Sequence, residues 1–312
     1  MGLFEELRKK HPLFIYHSYE LNESGFSFHL SIDQHHFYPC WKFDTTMINK
    51  NADRNVIDYA VFNIGMAELV SYWKCACCPE VEVRCGALNN EQISWWKKLY
   101  FNGLGEFFYR NGICSHISDF MNIKCVNNAP PVFDTEYNPE GFLIPVGGGK
   151  DSVVTLELLK KLGSTDKNTC YLINGLQAAK DTAKTAGYDN VHILSVTRTI
   201  DKTLLELNKI GYLNGHTPFS SVVAFSSWLF AYILGKQYII LSNESSANES
   251  YVQGKEVNHQ YSKSTEFEAD FRFYSRKFLL PYPEYFSLLR PWSEWQIARE
   301  FVKHPIYFKE FR

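Results

Sequence analysis

The 312-residue sequence predicts an α/β protein: a doubly wound parallel sheet over residues 141–312, preceded by a smaller α+β domain over residues 1–126. Three observations predict it. From Phe142 onward, short apolar runs alternate with helical spacings, as in open parallel sheets. Before that, a stretch of period-2 alternation gives way to two long helical ones. Between the halves, the Pro-rich polar segment from Val126 to Glu140 has no periodicity and reads as a linker over residues 127–140.

The elements follow in order. From Leu13 to Phe43, aromatic and β-branched residues alternate with polar ones, and Asn22-Glu-Ser-Gly25 supplies a hairpin turn. Asp53 to Lys74 changes to helical spacing, with Val56, Tyr59, Ala60, Asn63, Ala67, Val70 and Trp73 along one face. Val81 to Cys85 is a short strand. A second helix spans Asn90 to Arg110, but Asn102-Gly-Leu-Gly-Glu106 interrupts it, and glycine inside a helix costs roughly 1 kcal/mol relative to alanine. Either a neighbour approaches closely there and the helix end faces a ligand cleft, or the helix bends at the surface.

Phe142 to Val146 is a strand and Asp151 to Leu162 a helix; Thr169 to Asn174 is a strand and Gln177 to Ala186 a helix. Asn190 to Val196 and Gln237 to Ser242 read as further strands. Asp201 to Ile210, Phe219 to Leu234 and Thr265 to Lys277 read as helices, the second entered through Gly215-His-Thr-Pro218.

Composition narrows the class. A net charge of −2 offers no global attraction for nucleic acid or membranes. There is no apolar run of spanning length, and Met1-Gly-Leu-Phe-Glu-Glu is acidic where a signal peptide is basic, so a cytoplasmic location is expected. The eight cysteines are then expected as free thiols. Cys75, Cys77, Cys78 and Cys85 lack a standard zinc spacing and read as buried thiols at a helix end.

The stretch with the strongest chemical content is Gly147-Gly-Gly-Lys-Asp-Ser152, between strand and helix. Glycines let the backbone approach a ligand, and the following helix N-terminus presents N–H groups and positive dipole, so a phosphate fits. The Walker A pattern fails, because Ile144 stands where its first glycine belongs and Asp151 where its Ser or Thr belongs. The stretch instead resembles the PP-loop of the ATP pyrophosphatases, Ser-Gly-Gly-x-Asp-Ser, with Gly147 in place of the first Ser.

In open parallel sheets, ligands bind at the carboxyl ends of strands. That rule selects Asn174 and Gly175 for adenine or ribose, the segment Ser195 to Arg198, and the oxygen-rich run Ser242 to Tyr251 for Mg²⁺ or a polar substrate, including Asn243, Glu244, Ser245 and Asn248. His259, Lys263, Arg272, Arg276 and Arg290 form a basic set suited to carboxylates or phosphates, or else to a solvated surface.

Several long runs carry a closer resemblance. They are Tyr72-Trp-Lys74, Trp96 to Gly112, Val146 to Glu157, Asn214 to Pro218, Ser242 to Asn248 and Glu256 to Ser264. They are similar to the ATP-dependent UDP-N-acetylmuramoyl-L-alanyl-L-glutamate epimerases of peptidoglycan synthesis. The resemblance implies a PP-loop fold, ATP and Mg²⁺ as cofactors, and a UDP-N-acetylmuramoyl dipeptide as substrate. The terminal glutamate would be adenylated, inverted at its α-carbon and released as the D-isomer with AMP.

On that reading Gly147, Gly148, Gly149, Lys150 and Ser152 hold the phosphates and Asp151 or Glu244 brings Mg²⁺. His216 and His259 are the acid/base candidates, with Lys263 in reserve; His216 also fits a plain helix cap. Asn243, Glu244, Ser245, Asn248, Arg272, Arg276 and Arg290 are substrate-binding candidates. Other classes stay open: a different PP-loop adenylating enzyme, an epimerase of another peptide, or a non-catalytic ATP or AMP sensor. The four-cysteine cluster of the deazaguanine nitrile synthases is absent, since no cysteine follows Cys170.

Overall fold

The computed structural model describes residues 2–44, 46, 49, 52–136, 138–163, 165–248 and 261–310. The chain opens with helix α1 (Leu3–Lys10) and strands β1 (Leu13–Asn22), β2 (Gly25–Ile32), β3 (His35–Phe37) and β4 (Cys40–Lys42). Helix α2 (Arg54–Trp73), β5 (Glu80–Val83), α3 (Asn90–Gly103), α4 (Gly105–Arg110) and β6 (Asn122–Cys125) follow. The second half runs β7 (Phe142–Pro145), α5 (Lys150–Lys161), β8 (Thr169–Ile173), α6 (Gln177–Thr185), β9 (Ile193–Thr199) and α7 (Lys202–Lys209). It ends with α8 (Phe219–Ile233), β10 (Tyr238–Leu241), α9 (Thr265–Phe278), β11 (Glu284–Ser287) and α10 (Glu294–Phe301).

The strands form one mixed, mostly parallel sheet in the order β11-β10-β7-β8-β9-β4-β2-β1-β5-β6, with β3 on β2. From β11 to β9 every pairing is parallel. β1 and β2 form the antiparallel hairpin, while β5 and β6 add in parallel outside β1. The seam between halves is the short antiparallel pair β4·β9, with Trp41 opposite Arg198.

Helix α2 explains why the seam holds. It is buried nearly all round, so it lies within the core and not on a surface. It starts on Asp53, whose carboxylate accepts from the Asn55 N–H. One core group gathers α2, α3, α8 and α9 with β1 and β2, so it draws on both halves. A second, formed by Val153, Leu156, Ala183, Ile297 and others, seals the opposite face of the parallel strands under α5, α6 and α10. The described residues of 127–140 carry no helix or strand and pass between β6 and β7.

All eight cysteines are free. Cys75, Cys77 and Cys78 are fully buried just after α2, and burial pushes the Cys75 thiol up to about 12. Among the described residues no helix is long and apolar enough to cross a membrane.

Candidate functional site

β7 lies between β10 and β8, and the chain returns to β10 only after building β8 and β9 on the other side. The carboxyl end of β7 is therefore a point where the winding reverses, the place where open α/β sheets leave a crevice. Gly147 to Lys150 fills it. Gly148 has φ +82°, and a Cβ there would stand 2.8 Å from the Ala179 backbone nitrogen of α6, so both conformation and space demand glycine. Gly147 has open space around it.

The helix begins at Lys150, one residue earlier than its sequence pattern suggests, with Gly149 as N-cap and no capping side chain. The first-turn N–H groups thus remain available to an anion. Ser152 is buried and accepts from the Gly147 N–H at 3.1 Å, closing the loop from beneath. Lys150 Nζ sits 3.2 Å from Asp151 and 3.3 Å from Glu294. Partial burial acts to lower the Lys150 pKa, but these two carboxylates outweigh it and leave it raised.

The flanking strand ends supply the walls. Asn174 and Gly175 both adopt left-handed conformations after β8. Asn174 fixes the neighbouring strand: its N–H donates to the Val196 carbonyl and its Oδ1 accepts from the Arg198 N–H, each at 2.7 Å. On the other flank, Asn243 Nδ2 donates to Ser287 Oγ at 3.1 Å, and the Ser245 N–H donates to the Trp292 carbonyl at 3.1 Å. Glu244 accepts from Ser246 Oγ through Oε1, while its buried Oε2 has no hydrogen-bond partner among the described residues. An orphaned carboxylate oxygen of this kind fits a cation. Asp151 and Glu244 belong to no group of three ligating side chains among the described residues.

The other expected site residues divide. Arg290 lies beside this wall, but its donors reach the Glu244 and Lys263 carbonyls at 2.9 and 2.8 Å and Glu268 at 3.0 Å. It positions the wall. Lys263 is exposed at the end of a short 3₁₀ turn, Tyr261–Lys263. Arg272 and Arg276 both donate to Glu284 Oε1 at 2.6 Å. Glu284 opens β11, so these two guanidiniums sit at the amino edge of the parallel strands, away from the glycine loop after β7. His259 and the Asn248 side chain lie outside the described residues.

The interrupted helix end has a structural cause. A Cβ on Gly103 would lie 2.6 Å from Pro218, so the missing side chain admits the loop 214–218. Around that contact, Asn111 Nδ2 donates to the Asn214 carbonyl at 3.2 Å, and Glu106 lies 3.9 Å from His216 Nδ1. Two runs more than a hundred residues apart thus hold His216 between them.

Lys74 completes this assembly, and sequence reasoning gave it no role. Its ammonium donates to the Gly215 carbonyl. Burial lowers its pKa to about 8, against the opposing pull of the Cys75 and Cys77 thiols. The signal available was its place in Tyr72-Trp-Lys74 at the end of an apolar helix, where a lone lysine needs a partner.

Arg198, expected near a ligand, is instead committed to structure. Its Nε and Nη2 each donate to Glu68 at 2.6 Å, and Trp41 Nε1 donates to the same carboxylate at 2.9 Å.

A family model described as MurL N-terminal domain matches residues 5–288. The chain is also similar to three proteins named UDP-N-acetyl-alpha-D-muramoyl-L-alanyl-L-glutamate epimerase. That of Xanthomonas oryzae pv. oryzae is 33% identical over 263 residues, covering 83% of this chain and 56% of the relative. That of Salinispora tropica is 32% identical over 237 residues, 75% of this chain and 50% of the relative. That of a Micromonospora species is 31% identical over 240 residues, 75% and 51% respectively. This chain spans about half the length of the curated relatives it matches. With the family match running through both halves of the sheet, the chain belongs to the MurL N-terminal domain family.

Proposed function

We propose that this chain binds ATP with Mg²⁺ through a PP-loop and serves the inversion of the terminal L-glutamate in UDP-N-acetylmuramoyl-L-alanyl-L-glutamate, a step of peptidoglycan precursor synthesis. The observation that carries the reading is the Gly147–Lys150 loop at the winding reversal, with Gly148 pressed on α6 and an uncapped helix behind it. The names of the relatives support the substrate.

In this reading, an oxygen of the glutamate α-carboxylate bonds to the α-phosphorus of ATP as the bond to pyrophosphate breaks. The amides of Gly148, Gly149 and Lys150, with Lys150 Nζ, hold the departing pyrophosphate. Asp151 and Glu244 would hold Mg²⁺, which neutralises charge developing on the phosphate oxygens. The resulting mixed anhydride has lost its carboxylate charge, so its α-hydrogen is more acidic.

Inversion then needs a base on one face and an acid on the other. His216, beside Glu106, and His259 are the residues proposed for these two roles, with Lys263 in reserve. Water finally cleaves the anhydride, releasing AMP and the D-glutamyl product. The test is incubation with ATP, Mg²⁺ and the UDP-linked dipeptide in deuterated water, read by mass spectrometry. One deuterium in the glutamyl residue together with AMP is expected. AMP without deuterium would point to another adenylating enzyme and would overturn the epimerase reading.

A further inference from the structure

The sheet brings a second group of chemically capable side chains together, away from the glycine loop, on the outer face of β1, β2 and β3. His17, His29 and His36 each bring a ring nitrogen within 4.8 Å of the others, the one such triad of ligating side chains among the described residues. Strand geometry explains the meeting. On β2, Phe28 and Leu30 face the core, so His29 and Ser31 share the opposite face, and Ser31 pairs across to His36 on β3.

His17 arrives by a different route. The β1·β2 register shifts between Tyr16 and Ser18, which leaves His17 as a bulged residue outside the ladder, and bulges re-aim side chains. His17 Nε2 then lies 2.8 Å from Ser31 Oγ, and His29 Nε2 lies 2.8 Å from His36 Nδ1. The His17 and His29 rings stack at 4.3 Å, and the Tyr38 ring stacks on His29 at 4.7 Å.

Burial, followed by neighbouring imidazoles, lowers the pKa of both His17 and His29. For His17 the nearby Arg84 adds to the lowering and Glu82 opposes it. Neutral imidazole is the metal-binding form.

We propose that His17, His29 and His36 form a binding site for a divalent transition metal of imidazole preference, Zn²⁺ foremost, with its fourth position open to water. Tetrahedral zinc with bonds of about 2.0–2.1 Å sets its nitrogens about 3.3 Å apart, so the triad needs side-chain adjustments below about 2 Å. Ser31 steadies the His17 ring from outside the coordination shell. The sheet order puts four strand steps between β7 and β2, roughly 20 Å at about 4.8 Å per step. The ion therefore ties β3 to β1 and β2 and takes no part at the phosphate loop.

The test uses the full chain after removal of metals with a chelator. Co²⁺ is titrated with visible absorption as readout and Zn²⁺ by calorimetry, for the wild type, His36→Ala and His35→Ala. His36 is exposed, so its removal leaves the core untouched; His35 is its neighbour outside the triad. One ion per chain is expected in the wild type and in His35→Ala, with at least about tenfold weaker binding in His36→Ala. Zinc should raise the melting temperature of the first two and not of the third. No binding by the wild type, unchanged affinity in His36→Ala, or an equal loss in His35→Ala would overturn the proposal.

Discussion

Single residues in the glycine loop after β7 have separable jobs. Gly148 is required by its φ of +82° and by the α6 backbone 2.8 Å from where a Cβ would stand, whereas Gly147 has neither constraint. Gly148→Ala should destabilise the protein by at least about 1–2 kcal/mol, the cost of forcing a side chain into the left-handed region. Gly147→Ala should leave the urea midpoint near that of the wild type, and equal effects from the two would contradict this geometry. Lys74 offers a pH signature. Its folded pKa of about 8 lies below the ordinary 10.5, so between those values the unfolded chain holds more protons and stability rises with pH. The gap in melting temperature between wild type and Lys74→Met should therefore move in favour of the wild type from pH 8 to pH 10. A constant gap would show that the ammonium is not desolvated.

Between elements, the decisive contacts join parts far apart in the chain. The Arg198 and Glu68 side chains are 8% and 0% exposed, and their pair stands where β9 meets β4 over α2. Glu68→Ala leaves a buried guanidinium alone and should cost about 3–5 kcal/mol in urea unfolding. Replacing both partners with apolar residues should restore much of that. The α3 end gives a test of sign. Alanine is worth about 1 kcal/mol more than glycine in an open helix, but at Gly103 it meets Pro218 at 2.6 Å. Gly103→Ala should lower the melting temperature and displace the loop bearing His216; a stabilised variant would mean that the loop does not press on the helix.

Across the whole molecule, the sequence made some levels legible and hid others for physical reasons. The strand, glycine turn and helix around residues 142–161 are local features, and so is the hairpin at Asn22 to Gly25, so periodicity and turn chemistry reach them. The β4·β9 seam joins Trp41 to Arg198, 157 positions on, and the Arg198–Glu68 pair spans 130 positions, separations that no window sees. Arg272 and Arg276 read as free cations until Glu284 is placed beside them. The histidine triad depends on pairing β1, β2 and β3 side by side, so no single stretch of sequence shows it; the register shift after Tyr16 inverts the faces only from Ser18 onward.

On the proposed function, the loop at the end of β7 directs cleavage of ATP between its α- and β-phosphates. The direct measurement is the product pair formed from ATP with Mg²⁺ and the UDP-linked dipeptide, for the wild type and for Gly148→Ala. AMP with pyrophosphate, formed by the wild type and at least about tenfold slower in the variant, equivalent to about 1.4 kcal/mol, is predicted. ADP with phosphate, or equal rates for the two proteins, would contradict it.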